Sequence, residues 1–182
     1  MSIYTGFGDQ GDTCGPGGQT VRKTHPAVQA VGALDELSAQ VGWCLAGVGG
    51  LADELAAALG DVQSALLAMG AVLANPSRAG LWAGKSLPRE LEKRIDAVSA
   101  ALPPLHHFLL AGGCELACRL HVARTVCRRA ELALVAAADA SVALPEAALV
   151  YLNRLGDLLF VLARRANQAA GIGDACWEGS AG

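Results

Sequence analysis

Three arginines and a glutamate fall within the eleven residues His121-Val-Ala-Arg-Thr-Val-Cys-Arg-Arg-Ala-Glu131. Arg124, Arg128 and Glu131 recur at spacings of four and three, so on a helix they share one face, which His121 extends. Guanidinium groups stacked along a helix suit a polyphosphate, because each presents several fixed donors to anionic oxygens. The residues around them (Leu120, Val122, Ala123, Val126, Ala130, Leu132) are apolar and leave little polar surface to solvate Arg124, Arg128 and Arg129. Without counter-charges these arginines would repel one another. Glu131 and Asp35 offset part of that repulsion, and a bound phosphate would offset the rest. The plainer alternative is a solvated helix face. A second polar cluster, Asn153-Arg154-Leu-Gly-Asp157, interrupts the apolar run from Leu149 to Leu159. Arg154 and Asp157 have the spacing of an i,i+3 ion pair. Asn153, a poor helix former that both donates and accepts, reads as making a specific contact. The two clusters together suggest a nucleotide site rather than a plain bundle.

Other residues add to that chemistry. Residues 1–24 are rich in Gly, Thr and Asp. Glycines let backbone N–H groups turn toward an anion, Thr5 and Thr13 add hydroxyls, and Lys23 adds charge. No Walker-type glycine loop is present, and the alternative for such a segment is a flexible arm. Asp35-Glu36 stands among apolar residues (Val28, Val31, Leu34, Leu37, Val41), which places a carboxylate near an interface in search of a cation. Phe108 lies in a loop just before the arginine helix, as a ligand contact or as a plug anchoring the loop. His106 and His107 read as solvated, and no nucleophile–base constellation can be assembled. Among the six cysteines, Cys114 and Cys118 are four apart, but no partner pair has the spacing of a metal site. The reading is therefore no metal, with reduced thiols in the cytoplasm.

These residues need elements to position them. The 182 residues suit one domain, and a composition 53% hydrophobic with only 4% aromatic points to packed helices. Expected elements are a short strand at Ile3-Tyr4-Thr5, turns over Gly8–Thr13 and an unhelical loop at Gly15–Gly18. Helices are predicted from Pro26, capped by Thr24 or His25, to about Ala46; from Leu51 to Ala74; from near Pro88 to before Pro103-Pro104; from Cys114 to Ala138; and from near Pro145 to before Gly171. Gly47–Gly50 should end the first, Asn75-Pro76 the second, and residues 77–86 form a connection holding Trp82. The third should be the most exposed. The fold class is all-α: a five-helix antiparallel bundle, four helices plus one, with a glycine-rich N-terminal loop. It is read as a single domain, with 1–24 a nucleotide-binding loop, 25–170 the bundle and 171–182 a tail. Mean hydropathy is +0.37, but the apolar stretches contain polar residues and are flanked by charges, so no membrane span and no export signal are expected. A net charge of -3 gives no general attraction to nucleic acid.

In order along the chain, Ile3-Tyr4-Thr5 with Gly8-Asp9 and Gly11, Gly17-Gly18 with Lys23 and Pro26, Gly32-Ala-Leu-Asp35-Glu36-Leu37, Phe108 with Gly112-Gly113, His121–Glu131, and Tyr151-Leu-Asn153-Arg154-Leu155 with Asp157-Leu-Leu-Phe160 form a pattern. It resembles the ATP:cob(I)alamin adenosyltransferases of the propanediol-utilisation type. The His-Val-Ala-Arg-Thr and Asn-Arg-Leu blocks carry the resemblance most specifically.

The resemblance implies a homotrimer of five-helix bundles with active sites between subunits. ATP would be held by Thr5, Gly6, Phe7, Gly8, Thr13, Cys14, Lys23, Arg128, Arg129, Glu131 and Asn153. Arg124 would act on the phosphates and pair with Asp35 across the interface. Phe108 would lie beneath the corrin and displace the lower axial cobalt ligand, with Trp177 also on the corrinoid side. Co(I) would attack the ribose C5′ of MgATP, releasing triphosphate, with cobalamin as substrate. A reductase and an adenosylcobalamin-dependent enzyme are implied as partners. Phe7 stands where the family usually has a hydroxyl, Gln10 where it has a cation, and Thr20 where a basic residue is usual. A non-catalytic corrinoid carrier or sensor on the same scaffold is the alternative, and would bind cobalamin with little ATP. A purely structural bundle would bind neither.

Overall fold

Proline at the first turn of a helix sacrifices no hydrogen bond, and Pro26 opens α1 (Pro26–Ala46). The His25 Nδ1 accepts from the Ala27 N–H at 3.2 Å, so His25 rather than Thr24 is the cap. Ala27, Ala30, Leu34, Leu37, Val41 and Cys44, spaced alternately by three and four, form its buried stripe. Gly47 ends the helix with its N–H on the Cys44 carbonyl at 2.9 Å. The computed structural model describes residues 3–48 and 53–177. Gly49 and Gly50 of the expected terminator, the expected helix start at Leu51 and the tail residues 178–182 lie outside the described residues.

α2 (Asp53–Ala74) stops where Asn75 takes the extended conformation that a following proline imposes. The Asn75 Oδ1 then accepts from the Ser77 N–H at 3.1 Å and starts a short 3-10 turn, Pro76–Leu81. Trp82 follows and is buried: its Nε1 donates to the Glu146 carbonyl at 2.7 Å, and its ring meets Tyr151 edge-on at 5.4 Å. α3 (Ser86–Ala100) buries only Pro88 and Leu91 and is the most exposed helix, as its polar sequence predicts. α4 (Glu115–Asp139) begins at Cys114, whose Sγ accepts from the Ala117 N–H. α5 (Ala148–Ala169) starts three residues later than the sequence suggests. Ala147 sits in the left-handed region (φ 60, ψ 13), so the segment from Pro145 cannot join the helix.

The helices neighbour one another in the order α2, α1, α4, α5, α3, and the Trp82 connection and an Arg94–Asp61 ion pair join α3 back to α2. Small residues line the α4–α5 seam: Ala123, Cys127 and Ala130 are fully buried, and the Cys127 thiol donates to the Leu152 carbonyl at 3.2 Å. The stretch Ala56–Ala74 of α2 is long and apolar enough to cross a bilayer, but 44% of it is buried inside the bundle and it carries Asp61. A core helix meets the same test.

The N-terminal segment departs from expectation. Ile3–Thr5 is not a strand and is exposed. The strands are β1 (Asp12–Cys14) and β2 (Thr20–Arg22), paired antiparallel with Thr13 opposite Val21. Only 6–11 are turns, so Asp12 and Thr13 are not turn residues. Pro16–Gly18 forms a 3-10 turn with Gly17 and Gly18 at positive φ, which closes the hairpin. Strands of three residues show no alternation for a pattern reading to detect.

Candidate functional site

α4 presents its polar row as a graded face rather than a uniform one. His121 is 6% exposed and tilts against Phe160 of α5, ring centroids 6.3 Å apart. One turn on, the Arg124 guanidinium carbon lies 5.9 Å from the same Phe160 ring, a cation–π distance. The His121 Nδ1 and Arg124 Nε are buried and have no hydrogen-bond partner among the described residues. Burial, reinforced by the Arg124 charge, holds the His121 imidazole below its usual pKa, so it is neutral beside the arginine. Arg128 and Arg129 reach solvent and Glu131 is half-buried. His121 therefore extends the row inward, toward the core, and not along a solvent face.

Counter-charges are shared unequally. Arg129 pairs with Glu36 of α1, both more than half exposed. Arg124 and Arg128 have no carboxylate partner among the described residues, and Asp35, exposed on α1, has no cation. Of the Asp35-Glu36 pair, Glu36 is the carboxylate that meets the arginine helix within one chain.

Across the seam, the Asn153 Nδ2 donates to the Glu131 Oε1 at 3.2 Å. The Arg154 Nη1 donates to the Asn153 Oδ1 at 2.8 Å, and the Arg154 Nε to Glu92 of α3 at 2.9 Å. Asn153 makes the specific contact its sequence context predicts. Arg154, in contrast, pairs with Glu92 and not with Asp157, because α3 packs against this side of α5. Burial and then the nearby Glu131 push the Cys127 thiol on the α4 side of the seam up to about 12.

The N-terminal loop is built from backbone. Gly6 and Gly11 adopt positive φ, the Asp9 N–H meets the Gly6 carbonyl and the Gly11 N–H the Gly8 carbonyl, each at 3.2 Å. Lys23 folds back over Gly8, where a Cβ would come within 3.0 Å of its Nζ. Arg22 holds the Gln10 carbonyl and Asp12, a cation that sequence reasoning did not assign to the loop. Thr5, Gly6, Phe7, Cys14 and Lys23 are exposed, and Gly8 and Thr13 partly so. Among the described residues, no hydrogen bond or ion pair links 3–23 to α4 or α5. The hairpin turn instead packs on α2 and the 76–81 turn. One copy of the chain does not bring the glycine loop and the arginine row together by direct bonds.

Phe108 is 81% exposed, which rules out the plug reading. Its ring meets Trp177 edge-on at 6.5 Å, so two exposed aromatics share one platform. Behind them lie three polar residues that sequence reasoning missed: Arg164 (8% exposed), Asn167 (2%) and Asp174. The available signal was an arginine and an asparagine at positions where the apolar stripe of α5 should continue.

The arrangement offers two unpaired guanidiniums and an amide–carboxylate pair for a polyphosphate nucleotide, and an exposed aromatic pair for a large flat ligand. The sequence profile of the family described as cobalamin adenosyltransferase matches residues 3–166. The corrinoid adenosyltransferase PduO of Salmonella typhimurium is 43% identical over 169 residues, 90% of this chain, which spans only 49% of that protein. The cobalamin adenosyltransferase of Cupriavidus metallidurans is 42% identical over 176 residues, 97% of this chain and 94% of the relative. A variant of the PduO-type ATP:corrinoid adenosyltransferase from Lactobacillus reuteri, complexed with cobalamin and ATP, superposes with a TM-score of 0.90 at 32% identity, covering 98% of this chain and 97% of that one. This chain belongs to the cobalamin adenosyltransferase family, as a PduO-type corrinoid adenosyltransferase.

Proposed function

We propose that the reaction runs on the surface formed by α4, the Asn153 end of α5 and the Phe108–Trp177 platform, completed by the N-terminal loop of a neighbouring copy in a homotrimer. The observation that carries this reading is the pair of arginines without carboxylate partners among the described residues, Arg124 and Arg128, one turn apart on α4, with the buried Nε of Arg124 unsatisfied. A buried cationic donor without a partner is costly, and a neighbour's Asp35 together with a bound triphosphate would satisfy it. The lack of bonds between the loop and α4 among the described residues of one copy supports a site shared between copies.

In this reading Thr5, Gly6, Phe7, Gly8, Thr13, Cys14 and Lys23 hold the nucleotide from one side. Arg128, Arg129, Glu131 and Asn153 hold it from the other. Mg²⁺ bound with the triphosphate would neutralise part of its charge, and the Glu131 carboxylate, with one oxygen on Asn153, would be the hard donor that holds it. Co(I) of the corrinoid substrate supplies an electron pair to the ribose C5′. The Co–C bond forms as the C5′–O bond breaks, and triphosphate departs with the electron pair of that bond. Charge grows on the leaving oxygens in the transition state, where Arg124 and Arg128 stabilise it most. Phe108 displaces the lower cobalt ligand and Trp177 backs it, which makes Co(II) easier to reduce. A cytoplasmic reductase would supply the electron and an adenosylcobalamin-dependent enzyme would take the product.

The test is direct. Protein, reduced cobalamin and MgATP are mixed and adenosylcobalamin is followed by absorbance, with calorimetry for each ligand alone. Product formation at catalytic protein concentration is expected. Cobalamin binding without ATP binding or product would reject this assignment in favour of a carrier.

A further inference from the structure

We propose that Asp174 is a positioning residue for the corrinoid face, fixing Phe108 through its bonds to the buried Arg164 and Asn167; this rests on the corrinoid reading of Phe108 given above. Asp174 accepts from both α5 residues: its Oδ2 from the Arg164 Nε at 2.8 Å and its Oδ1 from the Asn167 Nδ2 at 3.2 Å. Arg164 also donates from Nη2 to the Pro103 carbonyl at 2.8 Å, at the start of the loop that carries Phe108. Asn167 holds the end of that loop. Its Oδ1 accepts from the Cys114 N–H at 2.9 Å, and its Nδ2 donates to the Gly112 carbonyl at 3.2 Å. Gly113 sits so close that a Cβ would lie 2.0 Å from the Asn167 Oδ1, and its φ of 113° is one that glycine tolerates. Both ends of the 103–114 loop are thus bonded to α5 side chains that also hold Asp174.

From Asp174 the tail runs directly to the aromatic platform. The Leu110 N–H donates to the Ala175 carbonyl at 2.8 Å, Leu109 bridges Cys176, and the Trp177 N–H donates to the Phe108 carbonyl at 2.7 Å. This small ladder is what orients Phe108, because its exposed ring has little packing to orient it. Asp174 is the residue through which the ladder is fixed to the bundle. A carboxylate bonded to a buried guanidinium and a buried amide is hard to move, since displacing it leaves both donors unsatisfied. Asp174 is bonded to Arg164 and Asn167 and to none of Arg124, Arg128 and Asn153, so its loss should act first on the corrinoid side.

The experiment compares wild type and Asp174→Asn, each with its MgATP, on cobalamin and on cobinamide, a corrinoid lacking the lower ligand that Phe108 would displace. The ratio of kcat/KM for cobalamin to that for cobinamide should fall about tenfold in the variant, the KM for ATP staying within about twofold. The absorbance of cob(II)alamin bound with MgATP should revert toward the ligand-on spectrum. Asp174→Glu, which keeps the charge but misplaces it, provides a second variant if Asp174→Asn does not fold, with the same direction expected. Equal losses on both corrinoids, or an unchanged cob(II)alamin spectrum, overturn the proposal. Failure of the wild type itself to turn over either corrinoid would instead reject the functional reading.

Discussion

The Asn153 amide bridges the α4–α5 seam to Glu131 at 3.2 Å while its oxygen is held by Arg154. An amide bonded at both ends has one orientation, so the Glu131 carboxylate always meets N–H and never C=O. Glu92 extends the chain of contacts to α3, which ties the exposed helix to the proposed nucleotide surface.

Replacing Asn153 by Asp tests this bridge with almost no change in volume. A second carboxylate would face Glu131, and the donor would be gone. The KM for ATP should rise about tenfold with the corrinoid KM nearly unchanged, measured by initial rates with each substrate varied in turn. An unaltered ATP dependence would remove Asn153 from the nucleotide site.

The arginines of α4 should differ in importance. Arg124→Ala or Arg128→Ala is expected to lower kcat/KM about a hundredfold, because each removes charge from the leaving triphosphate. Asp35→Asn should lower it strongly too if it pairs with Arg124 between copies. Arg129, already paired with Glu36 on an exposed surface, should matter less to folding: Glu36→Gln should change stability by under about 1 kcal/mol in urea unfolding.

His121 supplies a pH signature. Burial and the adjacent Arg124 lower its pKa in the folded chain below the ordinary 6.5, so the unfolded chain binds the proton more readily. The neutral imidazole's contribution is therefore complete above 6.5 and is lost as pH falls from there through the folded value. Thermal unfolding between pH 7.5 and about 5 should show a decline that is shallower in His121→Gln. Equal slopes would show that other groups cause it.

The thiols divide by depth. Burial pushes Cys44 up to about 11 and Cys127 to about 12, which keeps both protonated and shielded. Cys14, Cys118 and Cys176 are exposed. A thiol reagent at pH 8 should label those three quickly in the native protein, and Cys44 and Cys127 only on unfolding. Rapid native labelling of Cys127 would contradict the close α4–α5 seam.

The sequence by itself determined the helices, because apolar residues at three- and four-residue spacing must find a core and because Pro26, Asn75-Pro76 and Pro103-Pro104 punctuate them. It also determined which polar residues stood out, since Arg124, Arg128 and Asn153 each interrupt an apolar helical run. Tertiary structure decided which of these charges are neutralised. Glu36 of the Asp35-Glu36 pair meets Arg129, and Glu92 rather than Asp157 meets Arg154, because helix packing sets the distance between elements and local spacing does not. Only the fold turned the tail back after α5 so that Asp174 meets Arg164 and Asn167, a contact without any helical periodicity along the chain.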